Sequence, residues 1–542
     1  MKFSGIRPFF FRVIISTFVI VFILTSGCKI EKISSPKFEV SFTPEAREEI
    51  TSGRILLMFS RDGNFRVREN GIPVFGLNVD DLAPGDKAVF NENVLGYPVS
   101  SLKDIPAGEY QVKAVLNVYT TFNRSDGHVI KLHMDRGEGQ NWQRSPGNLF
   151  NDPVQISYDP SAGSAFKIVL DKVIPPIAPP EDTEWVKNVR IKSELLSEFW
   201  GQDMYIGAKI LLPKGFNDHP EVKYPVEYIQ GHFSSRNPGR FREGTDFYNA
   251  WTSDDFPRML LVTFQHANPY YDDSYGVNSE NAGPYGDALT RELIPYIEQK
   301  FRAIGKPYSR VLSGGSTGGW ISLALQVWYP DFFGGTWTFY PDQVDFRKYQ
   351  IVNILEDENA YYQYHEWTKV PRPGKRSTDG NVDYTMAQEC LLEEVLGDRY
   401  RSGGQWAIWN AVYAPVAADG YPEPIWNPLT GKINHETAKW SQEHFDIRYY
   451  LENNWETAGP KLEGKIHVLC GRMDNYYLNE AVYLLEEYLE KTVNPYYGGY
   501  FKYGPRGGHG WNPLGRINMM KEMAEHITEN APPGENTDQW KY

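Results

Sequence analysis

The chain has 542 residues, of which 41% are hydrophobic and 23% are charged, and its formal net charge at pH 7 is −14. This length predicts more than one domain, and the hydrophobic fraction is enough to build ordinary cores. The negative charge, with no basic patch in the sequence, argues against nucleic acid as a partner. Aromatic residues make up 15% of the chain, an excess that fits either core packing or a cleft that stacks sugar or aryl rings.

Residues 1–27 are predicted to be a signal peptide of the lipoprotein type. Basic residues precede an apolar run over 13–24, which is too short for a membrane-spanning helix. The run ends in Leu24-Thr25-Ser26-Gly27-Cys28, which resembles a bacterial lipobox except that Thr25 stands where leucine is usual. We expect cleavage before Cys28 and lipid attachment there, which would anchor an exported protein to a bacterial membrane. The alternative is an ordinary cleaved signal peptide with a chance cysteine.

The segment after the signal peptide is predicted to be a tether followed by an all-β domain. Residues 28–35 form the tether, and residues 36–174 are expected to fold as a β-sandwich. Apolar residues alternate with mostly polar ones over 110–118, which is the period of a half-buried strand. Turn signals separate the apolar runs, and no helix-period segment is present. The proline-rich residues 175–184 predict a stiff linker to a second domain.

Residues 185–542 alternate strand and helix patterns, which predicts a mostly parallel sheet covered by helices on both faces. Predicted strands cover 205–212, 224–229, 259–264, 335–339, 466–470 and 499–503, and predicted helices cover 286–303, 478–491 and 517–528. Residues of about 345–460 interrupt this alternation and are rich in Tyr, Trp and Pro. We interpret them as an insertion that caps the carboxyl edge of the sheet; the alternative is a small lobe with no role in binding.

The most informative motif is Gly314-Gly315-Ser316-Thr317-Gly318, which lies between a predicted strand and a predicted helix. A serine on a tight strand-to-helix turn presents its hydroxyl at the top of a sheet, and Gly314 and Gly318 tolerate the crowding on either side. The context predicts a nucleophile elbow with Ser316 as the nucleophile. This motif and its flanks predict an α/β-hydrolase domain after the β-sandwich.

A serine nucleophile needs a base, and the base needs an orienting carboxylate. In α/β-hydrolases the acid and then the histidine follow the serine in the chain. His509, in a glycine-rich loop after the last predicted strand, is the histidine that fits this order. Asp474, just after the strand 466–470, is the predicted acid, and Asp342 after the strand 335–339 is the alternative.

An oxyanion hole requires two backbone N–H donors. Thr317, directly after the nucleophile, is expected to supply one. The second is expected from His232 or Phe233 in the loop after the strand 224–229, unless the His232 side chain lines the pocket instead. No metal-binding motif or paired-histidine spacing is present, so the sequence predicts no catalytic metal and no cofactor.

Two cysteines remain beyond the signal peptide. Cys470 lies within the apolar run 466–470 and is expected to be a buried small side chain. A disulfide with Cys390 is possible outside the cytoplasm, although two cysteines do not define a disulfide framework.

The chain resembles the putative esterase family of α/β-hydrolases, which includes esterase D, feruloyl esterases and mycolyltransferases. The resemblance rests on residues 285–301, 310–319 and 329–334. It covers about 205–345 well and 460–515 moderately, and it implies the nucleophile, acid and base named above. The family often has His-Gly in the oxyanion loop, where this chain has Gln230-Gly231.

These features predict an exported serine esterase that forms an acyl-enzyme on a small-molecule or glycan ester. Ester is preferred to amide because of the family resemblance, and a polysaccharide-linked acyl or feruloyl ester is the expected substrate because of export and the aromatic-rich insertion. The alternatives are a non-catalytic surface protein that binds glycan on a hydrolase scaffold, and an acyltransferase whose acceptor is a sugar hydroxyl.

Overall fold

The computed structural model describes residues 36–542. The predicted signal peptide, the predicted lipid-attachment residue Cys28 and the predicted tether lie outside the described residues. No helix within residues 36–542 is long and apolar enough to cross a bilayer.

Residues 36–174 form strands joined by turns, with one short 3₁₀ helix at Leu102–Asp104. A three-stranded sheet and an eight-stranded sheet share one core, built from side chains such as Phe38, Phe59 and Tyr158. The strands are Lys37–Phe42, Thr51–Ser60, Val74–Leu82, Ala88–Phe90, Gly96–Tyr97, Gly108–Asn123, Val129–His133, Leu149–Phe150, Val154–Tyr158, Ala165–Leu170 and Lys172–Val173. Burial alternates over 110–114, as the sequence predicts, whereas 114–119 are buried on both faces of the strand.

The second unit is built on an eight-stranded sheet, whose strands we number β1–β8 in chain order. These are β1 (Val186–Ser193), β2 (Met204–Leu211), β3 (Val226–Gln230), β4 (Leu260–Gln265), β5 (Arg310–Gly315), β6 (Gly335–Phe339), β7 (Ile466–Gly471) and β8 (Tyr500–Gly504). Their order in the sheet is β1-β2-β4-β3-β5-β6-β7-β8. The pairs from β4 to β8 are parallel, whereas β1–β2 and β2–β4 are antiparallel. The sheet is therefore parallel in the half that carries the predicted site.

α-Helices flank this sheet; those that lie between β3 and β8 in the chain connect parallel strands, whereas the first connects the antiparallel strands β1 and β2 and the last follows β8. The helices are Glu194–Trp200, Asp246–Trp251, Tyr285–Ala288, Ile294–Lys300, Thr317–Trp328, Asn479–Leu489 and Gly515–Glu529. The single helix predicted over 286–303 is wrong in detail, because a π-helical turn at Leu289–Leu293 separates two α-helical pieces. Pro295 follows that turn; proline has no N–H to donate, so the regular hydrogen-bond ladder cannot run unbroken through it.

The insertion contains two β-hairpins and four helices. The hairpin strands are Tyr362–Tyr364 with Lys369–Pro371, and Pro373–Arg376 with Val382–Thr385; the helices are Met386–Leu396, Gln405–Tyr413, His435–Phe445 and Ile447–Leu462. Many of its aromatic side chains pack on one another, including Trp406, Trp409 and Trp426, and these three are buried. Much of the aromatic excess in the insertion is therefore core packing.

The insertion also packs against the β-domain. Leu392 and Val395 of its helix Met386–Leu396 pack in one apolar cluster with Leu56 and Val115 of the β-domain. The guanidinium of Arg54 donates to the carbonyl oxygens of Val395 (2.8 Å) and Glu394 (3.1 Å). The β-domain thus contacts the insertion through apolar side chains and through hydrogen bonds from the charged guanidinium of Arg54.

Cys390 and Cys470 are both free and buried. The disulfide that the sequence left open is not formed. Cys470 is fully buried in strand β7, as the apolar run predicts.

A buried ion pair connects the last helix, Gly515–Glu529, to strand β3, and it also contacts strand β5, which leads to Ser316. Arg516 donates two hydrogen bonds to the fully buried Glu227 (2.8 and 2.9 Å), and Ser313 of β5 donates to the same carboxylate (2.5 Å). We expect Arg516→Ala to lower the free energy of unfolding by about 3 kcal/mol, because the Glu227 charge would stay buried without its partner. Urea unfolding measures this loss. Adding Glu227→Gln should restore part of it, and equal stability of parent and Arg516→Ala would contradict the assignment.

We expect His467 to make the free energy of unfolding depend on pH. Burial in strand β7, with the neighbouring His526, lowers the pKa of His467 to about 4, and its Nδ1 lies 3.1 Å from the carbonyl oxygen of Thr336. In the unfolded chain His467 binds a proton as the pH falls below about 6.5, whereas in the folded chain it does so only as the pH falls below about 4. Stability should thus fall as pH drops through this window, by about 3 kcal/mol from this group. Melting temperatures of His467→Gln should fall less between pH 7 and 4 than those of parent or the exposed control His219→Gln.

Candidate active site

Ser316 lies at the tight turn between β5 and the helix Thr317–Trp328, with φ 60° and ψ −125°. This conformation is strained for a residue with a side chain, and such strain is typical of a nucleophile elbow. A Cβ at Gly314 would lie 2.1 Å from the carbonyl oxygen of Gly318, and a Cβ at Gly318 would lie 2.2 Å from that of Gln230. Both glycines are therefore required for the turn to sit against strand β3.

Asp474 and His509 form a hydrogen-bonded pair at the carboxyl ends of β7 and β8. Asp474 Oδ2 lies 2.8 Å from His509 Nδ1, and the carboxylate is fully buried. Its other oxygen accepts from the backbone N–H of Tyr476 (2.9 Å), so the carboxylate is held in one orientation. A hydrogen bond from the His509 N–H to Asn475 Oδ1 (2.8 Å) positions the loop. With Nδ1–H donating to Asp474, the second ring nitrogen is left as the proton acceptor.

The alternative acid, Asp342, is not the partner of His509; it lies beside the nucleophile. The Ser316 hydroxyl donates to Asp342 Oδ1 at 3.4 Å, and among the hydrogen bonds of residues 36–542 none joins Ser316 to His509. Burial raises the pKa of Asp342, while hydrogen bonds from Tyr275 and Trp409 and the nearby His509 oppose that rise. His509 thus acts electrostatically on the carboxylate that Ser316 contacts, and in unliganded enzymes the serine–histidine contact is often long.

The buried Asp342 is held by residues that the sequence analysis did not find. Asp342 Oδ2 accepts from the Tyr275 hydroxyl (2.5 Å), from Trp409 Nε1 (3.1 Å) and from Gln405 Nε2 (3.4 Å). Gln405 and Trp409 lie on the insertion helix Gln405–Tyr413. The insertion therefore contacts the carboxylate that lies beside Ser316. No local pattern in the sequence marks these two residues, because they reach Asp342 from more than 60 positions away.

Two backbone segments meet at the predicted oxyanion position. Thr317 is the first residue of its helix, so its N–H belongs to the group that has no partner within the helix. Strand β3 ends at Gln230, which pairs with Gly314 on β5, and Gly231 and His232 follow directly. The predicted donors thus belong to adjacent strand ends, at the edge of the sheet that carries Ser316.

The His232 side chain faces acidic neighbours. Its Nδ1 lies 3.0 Å from Asp272 Oδ1 and 3.5 Å from Asp273 Oδ2. Burial opposes protonation, but the hydrogen bond to Asp272 and the charges of Asp272, Asp273 and Asp342 outweigh it and raise the pKa of His232 to about 9. The sequence analysis missed both aspartates, although their position shortly after strand β4, at the carboxyl edge of the sheet, was a signal that could have marked them.

The β-domain contacts the loops that follow strands β3 and β4. A Cβ at Gly139 would lie 2.3 Å from the ring of Phe233, and Gln140 Nε2 donates to the carbonyl oxygen of Pro269 (3.2 Å). A cleft of about 510 Å³ lies between the two units. Its walls come from the β-domain, the proline-rich linker and the hydrolase sheet, and include Met134, Arg136, Pro179, Tyr205, Phe233 and Gln265.

Residues 199–383 match the model of the Esterase family, described as putative esterase. This confirms the resemblance that the sequence indicates. Residues 199–383 are therefore similar to an esterase domain. The match includes Ser316, Asp342 and the loop of His232, and it ends before Asp474 and His509.

Individual proteins are also similar to this chain. The uncharacterized protein YjcH of Bacillus subtilis (strain 168) is 26% identical over 232 residues, which is 40% of this chain and 93% of YjcH. A solved ferulic acid esterase covers 62% of this chain and 98% of its own, at 16% identity and a TM-score of 0.37. An S-formylglutathione hydrolase from Agrobacterium tumefaciens covers 65% and 98%, at 13% identity and a TM-score of 0.35. Neither solved structure indicates a substrate for this chain.

Proposed function

We propose that this protein is an exported serine esterase whose nucleophile, base and acid are Ser316, His509 and Asp474. The observation that carries the proposal is the 2.8 Å contact between His509 and the buried Asp474, at the sheet edge where Ser316 occupies a strained elbow. The esterase-family match over residues 199–383 supports ester hydrolysis as the reaction.

In the proposed reaction the Ser316 hydroxyl turns from Asp342 toward His509, which takes its proton as the oxygen attacks the ester carbonyl. Asp474 holds the imidazole and stabilises its charged form. The N–H groups of Thr317 and His232 stabilise the oxyanion. His509 then returns the proton to the departing alcohol, and water, activated by the same histidine, releases the acid from Ser316.

We further propose that the alcohol part of the ester belongs to a glycan. The cleft between the β-domain and the hydrolase sheet adjoins Phe233 of the oxyanion loop, and Tyr205 and Pro179 give it flat apolar surface of the kind that sugar and aryl rings contact. The N-terminal sequence supports export and a lipid anchor on Cys28, which would place the site in the cell envelope.

The function is tested by assaying the purified protein on p-nitrophenyl acetate, methyl ferulate, and acetylated and feruloylated oligosaccharides. We expect hydrolysis that depends on Ser316, with a higher kcat/KM on the oligosaccharide esters than on the small esters. Product analysis with added sugar acceptors separates hydrolysis from acyl transfer. Complete inactivity on all these esters, with no covalent reaction with a fluorophosphonate, would favour the glycan-binding alternative and sink the proposal.

Anchoring is tested separately by palmitate labelling of cells that produce the full chain. The parent should incorporate label and fractionate with membranes, and Cys28→Ala should not incorporate label. Labelling of both chains, or of neither, would contradict the assignment of Cys28.

A further inference from the structure

We propose that His232, Asp272 and Asp273 form a binding site for a divalent metal ion at the mouth of the candidate active site. One ligand atom from each of the three residues lies within 4.8 Å of the others. With metal–ligand distances of about 2.0–2.2 Å, ligand atoms around one ion lie up to about 4.3 Å apart. The three side chains therefore need to move by less than about 1 Å to enclose an ion.

A second observation points to a missing ligand rather than to a chance cluster. Asp273 is 1% exposed, and its Oδ2 is buried without a hydrogen-bond partner, although it lies 3.5 Å from His232 Nδ1. Its other oxygen is already used, because it accepts from the backbone N–H of Tyr275 (3.0 Å). A buried carboxylate oxygen with no donor is costly, and a metal ion is one of the few partners that satisfies it.

The surrounding charge also favours a cation. Asp272, Asp273 and Asp342 all act electrostatically on His232. Ionised carboxylates beside a site where an oxyanion would form are unfavourable unless a proton or a cation offsets their charge. Protonated His232 supplies one positive charge, whereas a divalent ion bound to neutral His232 supplies two.

The chemistry of the set selects the kind of ion. One imidazole nitrogen with two carboxylates suits Zn²⁺ or Mn²⁺ better than Ca²⁺, which prefers oxygen ligands alone. The His232 side chain is 46% exposed and that of Asp272 is 29% exposed, so an ion can enter from solvent and keep an open position for water or a substrate oxygen. The sequence predicts no metal, because His232 and the two aspartates are 40 residues apart and match no metal-binding motif.

The test measures binding without substrate, on tag-free protein of residues 29–542 treated with EDTA and dialysed. Mn²⁺ is titrated and the free ion is followed by electron paramagnetic resonance; Zn²⁺ is titrated by calorimetry and as a competitor of Mn²⁺. We expect one equivalent of Mn²⁺ to bind and Zn²⁺ to displace it. Asp273→Asn and His232→Gln should each weaken binding at least about tenfold, while the exposed controls Asp255→Asn and His219→Gln should bind like the parent.

His232→Gln changes a half-exposed side chain and keeps the test decisive if Asp273→Asn does not fold; circular dichroism shows which variants are folded. Absence of saturable binding of both ions at millimolar concentration would overturn the site, and would leave protonated His232 as the counter-ion. Parent-like affinity in His232→Gln would overturn it equally. Neither result bears on the esterase proposal, which stands or falls on Ser316.

Discussion

Alanine at position 316 is expected to lower kcat on p-nitrophenyl acetate by on the order of 10⁴-fold or more, with little change in folding. The loss is large because no other group can form the acyl-enzyme, and what remains is the catalysis that the oxyanion position and substrate binding provide alone. Steady-state kinetics measure the loss. The melting temperature of Ser316→Ala should stay close to that of the parent, because the tight turn depends on Gly314 and Gly318 and not on the serine side chain.

Covalent labelling independently tests whether Ser316 is the nucleophile. A fluorophosphonate should add one equivalent to the parent and to the matched control Ser253→Ala, and none to Ser316→Ala, as shown by intact mass. Ser253 lies in the same domain, and its hydroxyl donates to the carbonyl oxygen of Ala250 at the end of a helix. Near-parent hydrolysis by Ser316→Ala would end the nucleophile assignment, whatever the labelling shows.

Asp474→Asn is expected to lower kcat by about 10⁴-fold, while the same change at Asp342 has a smaller effect. The amide at 474 would present an N–H or a neutral oxygen to His509 Nδ1, so that the imidazole is no longer held in the tautomer whose second nitrogen accepts a proton. Asp342 accepts from Ser316, Tyr275 and Trp409 and makes no hydrogen bond to His509 within the described part of the chain, so its loss disturbs the resting position of the serine instead.

Kinetics of the two variants side by side decide which carboxylate is the acid. Both aspartates are buried, so thermal melting must accompany the assays to separate lost activity from lost structure. If Asp342→Asn proved the more damaging of two equally folded variants, the acid would have to be reassigned to the end of β6.

The order of chemical groups along the chain was enough to predict the three central residues of the candidate site. Ser316 was marked by its glycines, and Asp474 and His509 by their places after the last two strands; the structure brings these two into contact. Asp474 was preferred to Asp342 because a strand–helix–strand unit separates it from the histidine, and the structure places Asp474 within hydrogen-bond distance of His509. The outer part of the site was not accessible in this way, because Tyr275, Gln405 and Trp409 become neighbours of Asp342 only through long-range packing.

In the fold as well, elements marked by a clear local pattern were predicted and those without one were missed. Alternation of strands and helices predicted the parallel half of the sheet, with strand ends displaced by one or two residues. The first strand, Val186–Ser193, was not predicted, because its apolar and charged residues follow no clear period. The break at Leu289–Leu293 was also missed: the apolar spacing over 286–303 reads as one helix, and only Pro295 hinted otherwise.

The insertion helix Met386–Leu396 has consequences for how this protein can be shortened. It rests on the β-domain through Leu392, Val395 and the Arg54 contacts, while the next helix supplies Gln405 and Trp409 to Asp342. A fragment that begins after the proline-rich linker would keep Ser316, Asp474 and His509, yet it would expose the apolar face of the helix Met386–Leu396 to solvent and remove a support of the helix that follows. The β-domain, residues 36–174, is therefore expected to stabilise the insertion, so that removing it should weaken the part of the chain that remains.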